Sequence, residues 1–181
     1  MRQIVLLRGI NLGPRNRIPM AEFRESLTGA GFEDIRTYLQ SGNVVLRSGD
    51  TETRVVSKFR KLIDERFGLD IEIVVRTRDE LAEVVRRNPL KKVADNPKRY
   101  QVSFLAREPD PAVVESLSAL ATDEERLVAI GRELYAWHPK GVARSRLWNR
   151  LAGSGLGTTA TARNWTTVTK LLELADKELS S

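Results

Sequence analysis

A loop rich in glycine and asparagine is the segment of this sequence best suited to bind an anion. It reads R-G-I-N-L-G-P-R-N-R-I-P-M over residues 8–20, and its basic side chains are Arg8, Arg15 and Arg17. Gly9 and Gly13 would let backbone amides come close to a ligand, and guanidinium groups hold phosphate or carboxylate through paired hydrogen bonds. The alternative interpretation is an ordinary basic surface loop with turn glycines.

A second candidate segment lies near the end of the chain. Residues 158–170 read T-T-A-T-A-R-N-W-T-T-V-T-K. Asn164 is a typical first residue of a helix, and the helix dipole favours negative charge at that end. Arg163, Thr167 and Lys170 are spaced so that their side chains would lie on one face of this helix. The alternative is a capped terminal helix with a solvated polar face.

The single histidine is the remaining candidate for acid–base chemistry. His138 ends a predicted strand that also contains Tyr135 and Trp137. No partner for the imidazole can be identified from spacing, so a structural role is favoured. The two aromatic rings would suit base stacking, but aromatic residues at a strand end more often pack in the core. No carboxylate pair is marked for catalysis, and no catalytic residue is predicted.

Composition excludes several classes of site. The 181 residues contain no cysteine, which removes disulfides and thiolate chemistry and fits a reducing compartment. With one histidine, a multi-histidine metal cage within one chain is excluded. No nucleotide P-loop pattern occurs, and the glycines of residues 153–157 do not match a dinucleotide fingerprint. We therefore predict neither a metal nor a cofactor.

The apolar segments are too short for a membrane protein. None approaches the roughly 20 residues that span a bilayer. The N-terminal apolar run is interrupted by Arg8, so no signal peptide is predicted. We expect a cytoplasmic protein without membrane contact.

Positive charge is concentrated where acidic residues are missing. The net charge is +6 and the pI is near 9.9. Residues 134–172 hold no Asp or Glu, although 24 acidic residues in 181 would place about five there in proportion. Residues 1–21 also lack acids. Both candidate segments fall in these acid-free windows, which suggests a positive surface that meets anions.

Hydrophobic periodicity and turn residues predict the order β-α-β-β-α-β for the first half. The predicted strands are residues 4–7, 34–40, 43–47 and 71–75, and the helices start near Pro19 and Thr51. In the second half, strands are predicted at 100–105, 125–130 and 133–137, with a short helix at 144–151. A last helix from Asn164 carries an apolar stripe of Trp165, Val168, Leu172 and Ala175, and we expect Trp165 to be buried with Val168 and Leu172.

The predicted fold class is therefore α+β, with two ferredoxin-like halves whose antiparallel sheets are covered by helices. We predict a first half at residues 1–76 and a connecting helix and linker at 77–97. Thr77 and Glu80 form a capping-box pair at the start of that helix. The second half, with the C-terminal helix, is predicted at residues 98–181.

Several motifs resemble those of the bacterial family known as domain of unknown function 1697. In the first half they are L-L-R-G-I-N-L-G at residues 6–13, I-P-M at 18–20 and Y-L-Q-S-G-N-V-V at 38–45. In the second half they are P-K-G-V-A-R-S-R-L at residues 139–147 and A-T-A-R-N-W-T-T-V-T-K at 160–170. The resemblance implies two ferredoxin-like α/β halves and no particular reaction. Pro14 stands where the family often has glycine, and Arg146 stands where lysine is common.

The motifs that coincide with the acid-free windows supply most of the candidate site. The candidate ligand-binding residues are Arg8, Gly9, Asn11, Arg15, Ser41, Asn43, Arg146, Arg163, Asn164 and Lys170. We predict that the R-G-I-N and T-A-R-N-W segments converge on one basic cleft that binds a small anionic or phosphorylated ligand.

Two other functions remain as alternatives. A nucleic-acid-binding module is suggested by the pI and the ferredoxin-like halves, although the presumed central strands at residues 4–7 and 43–46 lack the aromatic residues on which bases stack. A protein-interaction scaffold without a ligand is the other alternative. The sequence predicts no oligomeric state.

Overall fold

The protein is described here by a computed structural model that covers residues 1–177. Two βαββαβ modules follow one another along the chain, and a further helix follows each module. The strands are β1 (Arg2–Leu7), β2 (Glu33–Tyr38), β3 (Asn43–Arg47), β4 (Ile73–Thr77), β5 (Tyr100–Leu105), β6 (Arg126–Ile130), β7 (Glu133–Trp137) and β8 (Ala160–Asn164). The helices are α1 (Met20–Gly29), α2 (Glu52–Phe67), α3 (Arg78–Arg87), α4 (Pro111–Ser118), α5 (Arg146–Ala152) and α6 (Trp165–Asp176), and a short 3₁₀ helix spans Pro97–Arg99.

The chain forms two compact units, which we call the first and the second unit. The first comprises Met1–Ala82 together with the residues from Lys170 onward, and the second comprises Glu83–Thr169. Each unit contains one of the two modules. None of the helices within residues 1–177 is long and apolar enough to cross a bilayer.

The first unit contains a four-stranded antiparallel sheet in the order β2-β3-β1-β4. β1 is central and pairs with β3 on one side and β4 on the other. Val5 and Leu7 point to one face of the sheet and join an apolar core with side chains of α1 and α2. Ile4 and Leu6, which alternate with them, are also buried. Both faces of the central strand are therefore removed from solvent.

The second unit repeats this topology. Its antiparallel sheet has the order β6-β7-β5-β8, with β5 between β7 and β8. Leucines from strands and helices form its core, among them Leu105, Leu117, Leu134, Leu147 and Leu151. The predicted fold class, α+β with two ferredoxin-like halves, is confirmed.

Strand β8 was not predicted by the sequence. Its residues, A-T-A-R-N, include none of the large β-branched or aromatic residues that mark a strand. Antiparallel pairing with β5 holds these residues in a strand. In this pairing Val102 lies opposite Arg163, and Leu105 lies opposite Ala160. β8 therefore completes the βαββαβ order of the second half, in which the sequence had also predicted the helix at residues 144–151 before it.

The predicted capping box at the start of α3 is confirmed. The backbone N of Thr77 donates to Glu80 Oε2 at 2.8 Å, and the backbone N of Glu80 donates to Thr77 Oγ1 at 3.1 Å. The two side chains thereby satisfy backbone donors that have no partner within the helix.

The prediction that Trp165 is fully buried was wrong. Val168 and Ala175 are buried, but Trp165 is only half-buried, and Leu171 rather than Leu172 faces the interior. The Trp165 indole stacks on the Tyr100 ring with centroids 4.8 Å apart. Trp165 is the first residue of α6 and follows β8 directly, so it lies at the end of the helix face that packs in the interior.

Candidate functional site

The basic loop, residues 8–19, is held in one shape by Asn11. The Asn11 side-chain amide donates to the carbonyl oxygens of Ile18 at 3.0 Å and Gln40 at 2.8 Å. Its Oδ1 accepts from the backbone N of Ile18 at 2.9 Å. The Asn11 backbone N donates to the carbonyl of Asn16, and Asn11 has a φ of +54°, which asparagine tolerates better than most residues. The predicted ligand-binding residue Asn11 therefore builds the loop.

The arginines of the basic loop differ in their surroundings. Arg8 is half-buried and pairs with Glu72, with 2.9 Å between Nη1 and Oε2. Although residues 1–21 contain no acidic residue, Glu72 from a distant part of the sequence lies beside them in the fold. Arg15 and Arg17 are exposed and have neither a hydrogen bond nor an ion pair to any other described residue. Gly9 is exposed as well, and a Cβ there would meet nothing within 4 Å.

The turn before β3 lies against the basic loop and has a structural role. Asn43 is fully buried, and its Nδ2 donates to Tyr38 O at 2.8 Å and to Ser41 Oγ at 3.1 Å. Gly42 has a φ of +88°, and its carbonyl accepts from the backbone N of Leu7 at 2.9 Å. The predicted site residues Ser41 and Asn43 therefore stabilise the entry to β3.

In the second unit, two predicted residues end β8. Arg163 is half-buried and donates to Thr161 Oγ1 at 2.7 Å and to Ala162 O at 2.8 Å. Burial lowers the pKa of Arg163 to about 10, so the side chain remains positively charged at neutral pH. Asn164 caps α6, because its Oδ1 accepts from the backbone N of Thr167 at 2.9 Å. The predicted helix cap is confirmed.

The two remaining candidates are surface cations. Arg146 is the first residue of α5 and is exposed, with no hydrogen bond or ion pair to other residues of the described chain. Lys170 pairs with Glu173 at 3.2 Å and belongs to the first unit. The convergence of the R-G-I-N and T-A-R-N-W segments on one cleft stays a prediction.

A buried polar cluster in the second unit, formed by Glu125, His138 and Ser145, was not predicted. His138 Nδ1 lies 2.5 Å from Glu125 Oε2, and Ser145 Oγ donates to the same oxygen at 2.6 Å. His138 is 0% exposed, and the other two residues are 7% exposed. The partners of the imidazole, which spacing in the sequence did not identify, are Glu125 and Ser145.

The polar cluster does not have the geometry of a nucleophilic triad. In such a triad the hydroxyl faces the imidazole nitrogen that is not bound to the carboxylate. Here Ser145 Oγ lies 3.3 Å from Nδ1, on the carboxylate side, and it accepts from the backbone N of Trp148 at 3.0 Å. An ionised carboxylate only accepts hydrogen bonds, so Nδ1 donates to Glu125; in the neutral imidazole this tautomer leaves a lone pair on Nε2. Nε2 is buried and has no hydrogen-bond partner within residues 1–177.

The Glu125 carboxylate is stabilised by its hydrogen bonds. Burial raises the pKa of Glu125. Hydrogen bonds from Ser145, His138 and the backbone of Thr122 lower it by a larger amount, so the pKa lies below the ordinary value for a glutamate. A carboxyl group with a lowered pKa in the folded state stabilises the fold above its unfolded pKa of about 4.3 and loses that contribution as the pH falls through the folded value.

We therefore expect the stability of Glu125→Gln to fall less steeply than that of the wild type as the pH drops below the unfolded pKa of about 4.3. Urea unfolding at several pH values measures this difference. Glu124→Gln is the matched control, because Glu124 is an exposed neighbour in a surface pair with Lys140 and should leave the pH dependence unchanged. Parallel wild-type and Glu125→Gln curves would contradict the assigned role of the carboxylate.

A cavity of about 390 Å³ adjoins the polar cluster. Its walls contain the cluster and much of the P-K-G-V-A-R-S motif. Lys140 pairs with Glu124 at 3.1 Å, whereas Arg144 is exposed and has no hydrogen bond or ion pair within residues 1–177. A wider groove of about 700 Å³ lies between α1 and α2, but exposed side chains of both charges line it and it contains none of the candidate residues.

Two residues of the polar cluster belong to sequence patterns that predict local structure, and neither pattern predicts the cluster itself. Thr122 and Glu125 have the spacing of a capping box, and the two residues exchange hydrogen bonds at 3.2 and 3.3 Å. Ser145 has the position of a helix cap before α5. Neither pattern reveals that both side chains meet His138. No group of three or more His, Cys, Asp or Glu side chains within residues 1–177 is arranged to hold a metal ion.

Tandem ferredoxin-like modules, each with an antiparallel sheet packed on helices, define this molecule as an α+β protein with two similar halves. The chain belongs to the family of proteins of unknown function DUF1697, whose model matches residues 1–135. No curated protein matches the sequence.

A solved structure supports the same fold. The conserved bacterial protein SP0830 from Streptococcus pneumoniae is similar to this chain with a TM-score of 0.79 and 21% sequence identity. The match covers 97% of this chain and 98% of that protein. At this identity the likeness shows a shared fold, and it carries no conclusion about function.

Proposed function

We propose that this protein binds a small anionic ligand, phosphorylated or carboxylated, at the basic loop of the first unit. The observation that carries the proposal is the pair Arg15 and Arg17, both exposed and without a partner among the described residues. Asn11 already fixes the loop around them through three side-chain hydrogen bonds. A ligand would therefore gain charge-assisted hydrogen bonds without having to order the loop.

The neighbouring residues support this assignment in different ways. Arg8 lies at the start of the loop, and its partner Glu72 is half-exposed, so an incoming anion can compete for the guanidinium group. Gly9 presents an open backbone, because no heavy atom lies near the position of a Cβ. Asn11, Ser41 and Asn43 act indirectly, by holding the loop and the turn beside it.

The second unit offers basic groups of its own to an anion. Arg146 is exposed and has no partner among the described residues, and Arg163 keeps its charge although burial lowers its pKa. Asn164 is occupied by its cap on α6, so its contribution would be to orient the end of β8. Arg146 and Arg163 are therefore proposed as separate anion-binding groups of the second unit, and Lys170 is a further cation in the first unit.

The nucleic-acid alternative receives less support. An RNA-recognition sheet presents aromatic side chains on an open face of its central strands. Ile4, Leu6, Val44 and Val45 in the central strands of the first unit are at most 1% exposed. The aromatic residues Tyr135 and Trp137 of β7 are buried as well, so they pack in the core, as the structural interpretation expected.

The double variant Arg15→Ala/Arg17→Ala is expected to lose at least about a hundredfold in affinity for anions, because two charge-assisted hydrogen bonds contribute roughly 1.5–3 kcal/mol each. Isothermal titration calorimetry with inorganic phosphate, pyrophosphate and glucose 6-phosphate measures the loss. The wild type should bind at least one of these compounds.

The matched control is Lys91→Ala/Lys92→Ala, which removes the same charge from two other exposed positions. It should bind like the wild type. Equal losses in both double variants would show a nonspecific effect of net charge and overturn the proposal. If the wild type bound none of the anions, exposed Leu12 and Leu39 near the same loop would favour a protein-interaction surface instead.

A further inference from the structure

We infer that the cavity beside the polar cluster is a separate ligand site, which takes a small carboxylate or phosphate that also carries a hydroxyl group. In this assignment Arg144 binds the charged group, and His138 Nε2 accepts a hydrogen bond from the hydroxyl. The site lies in the second unit and goes beyond the anion binding proposed for the basic loop of the first unit.

The imidazole is the first reason for this inference. Buried polar side-chain atoms nearly always have a hydrogen-bond partner, so each exception needs an explanation. His138 is fully buried, its Nδ1 is engaged by Glu125, and its Nε2 has no partner among the described residues. His138 is one of the residues that line the cavity, so we take a molecule bound there as the partner that this nitrogen lacks.

The orientation of the imidazole is fixed before any ligand arrives. Glu125 receives hydrogen bonds from both Ser145 and His138, and the His138 ring meets the edge of Trp148 with centroids 5.9 Å apart. A carboxylate that holds one imidazole nitrogen sets the tautomer and the direction of the other. In the neutral imidazole Nε2 then has a lone pair, so the complementary ligand group is a donor, for which a hydroxyl is the simplest choice.

The charges around the cavity specify the rest of the ligand. Glu124 is neutralised by Lys140, and Glu125 is engaged by His138 and Ser145. Arg144 has no acidic partner among the described residues, so its guanidinium group is the cation of the cavity wall that remains available to an anion. A guanidinium group matches carboxylate and phosphate through two parallel hydrogen bonds. The volume of about 390 Å³ falls within the range of small-molecule sites.

His138 is the single histidine of the chain, which gives a direct test. In tag-free protein labelled with ¹⁵N, an imidazole correlation spectrum contains one ring. We expect the free protein to show a protonated Nδ1 and an unprotonated Nε2. Titration with glycolate or glycerol 3-phosphate should shift the Nε2 signal. Acetate and propyl phosphate, which lack the additional hydroxyl, should bind roughly 2- to 10-fold more weakly, the effect of one hydrogen bond.

Two variants separate this site from the basic loop. Arg144→Ala should weaken glycolate binding by about tenfold while leaving the imidazole spectrum of the free protein unchanged. Arg15→Ala should bind glycolate at this site like the wild type, so failure of the proposed function at the basic loop would not affect this result. The inference is overturned if no compound shifts Nε2 up to its solubility limit, if Arg144→Ala binds normally, or if acetate binds as well as glycolate.

Discussion

Phe59→Ala is expected to lower the free energy of unfolding by about 3–5 kcal/mol, because a large buried ring would be replaced by a cavity. Phe59 is 0% exposed at the centre of α2. Its ring makes edge-to-face contacts with Phe23, with centroids 5.8 Å apart, and with Phe32, at 5.2 Å. The three rings join α1, α2 and the start of β2, so the substitution weakens several elements together. Urea unfolding of the purified protein gives the difference directly.

The matched control lies on the same helix. Lys61 is exposed, and its weak pair with Glu65 spans 3.8 Å, so Lys61→Ala should change the unfolding free energy by less than about 0.5 kcal/mol. An unfolding midpoint for Phe59→Ala close to that of Lys61→Ala would contradict the packing described for the first unit.

Gly42→Ala is the second substitution with a large expected effect, a loss of about 2–5 kcal/mol. About 1–2 kcal/mol comes from placing a Cβ on a residue with positive φ, and about 1–3 kcal/mol comes from overpacking. Gly42 has a φ of +88°, and an added Cβ would lie 2.7 Å from Leu7 Cβ and 2.9 Å from Ile10 Cδ1. Because Leu7 Cβ is attached to the central strand, it cannot move aside without shifting β1. Chemical unfolding measures the loss.

Gly31→Ala separates the two contributions. Gly31 has a similar φ of +92°, but a Cβ there would meet nothing within 4 Å. It should therefore lose only the backbone contribution of about 1–2 kcal/mol. Equal losses at Gly42 and Gly31 would show that the close approach to Leu7 has no energetic consequence.

Some residues of the family motifs have structural roles in this fold, and these roles explain them without a ligand. In Y-L-Q-S-G-N, Gly42 allows close packing and Asn43 ties the turn together. In R-G-I-N, Asn11 links the basic loop to the same turn through Gln40. Stability accounts for these positions without a ligand. The proposed anion binding rests instead on Arg15 and Arg17, whose side chains have no hydrogen bond or ion pair to another described residue.

The sequence by itself determined most of the secondary structure and the fold class. Strand β1 and helices α1 and α2 were predicted because their apolar residues repeat with the period of the element, which is a local property of the chain. The capping box at Thr77 and Glu80 was predicted for the same reason, since the interacting groups are three residues apart. The order of these elements then indicated the ferredoxin-like topology.

Tertiary structure alone decided the contacts between residues distant in sequence. β8 has little strand propensity of its own and becomes a strand through its pairing with β5. Glu72 pairs with Arg8 although the two residues are 64 positions apart. A segment without acidic residues in the sequence is therefore next to an acidic side chain in the fold. Glu125 and Ser145 lie 13 and 7 positions from His138, separated from it by the β6–β7 hairpin and by a loop, and only folding of the second unit brings their side chains together.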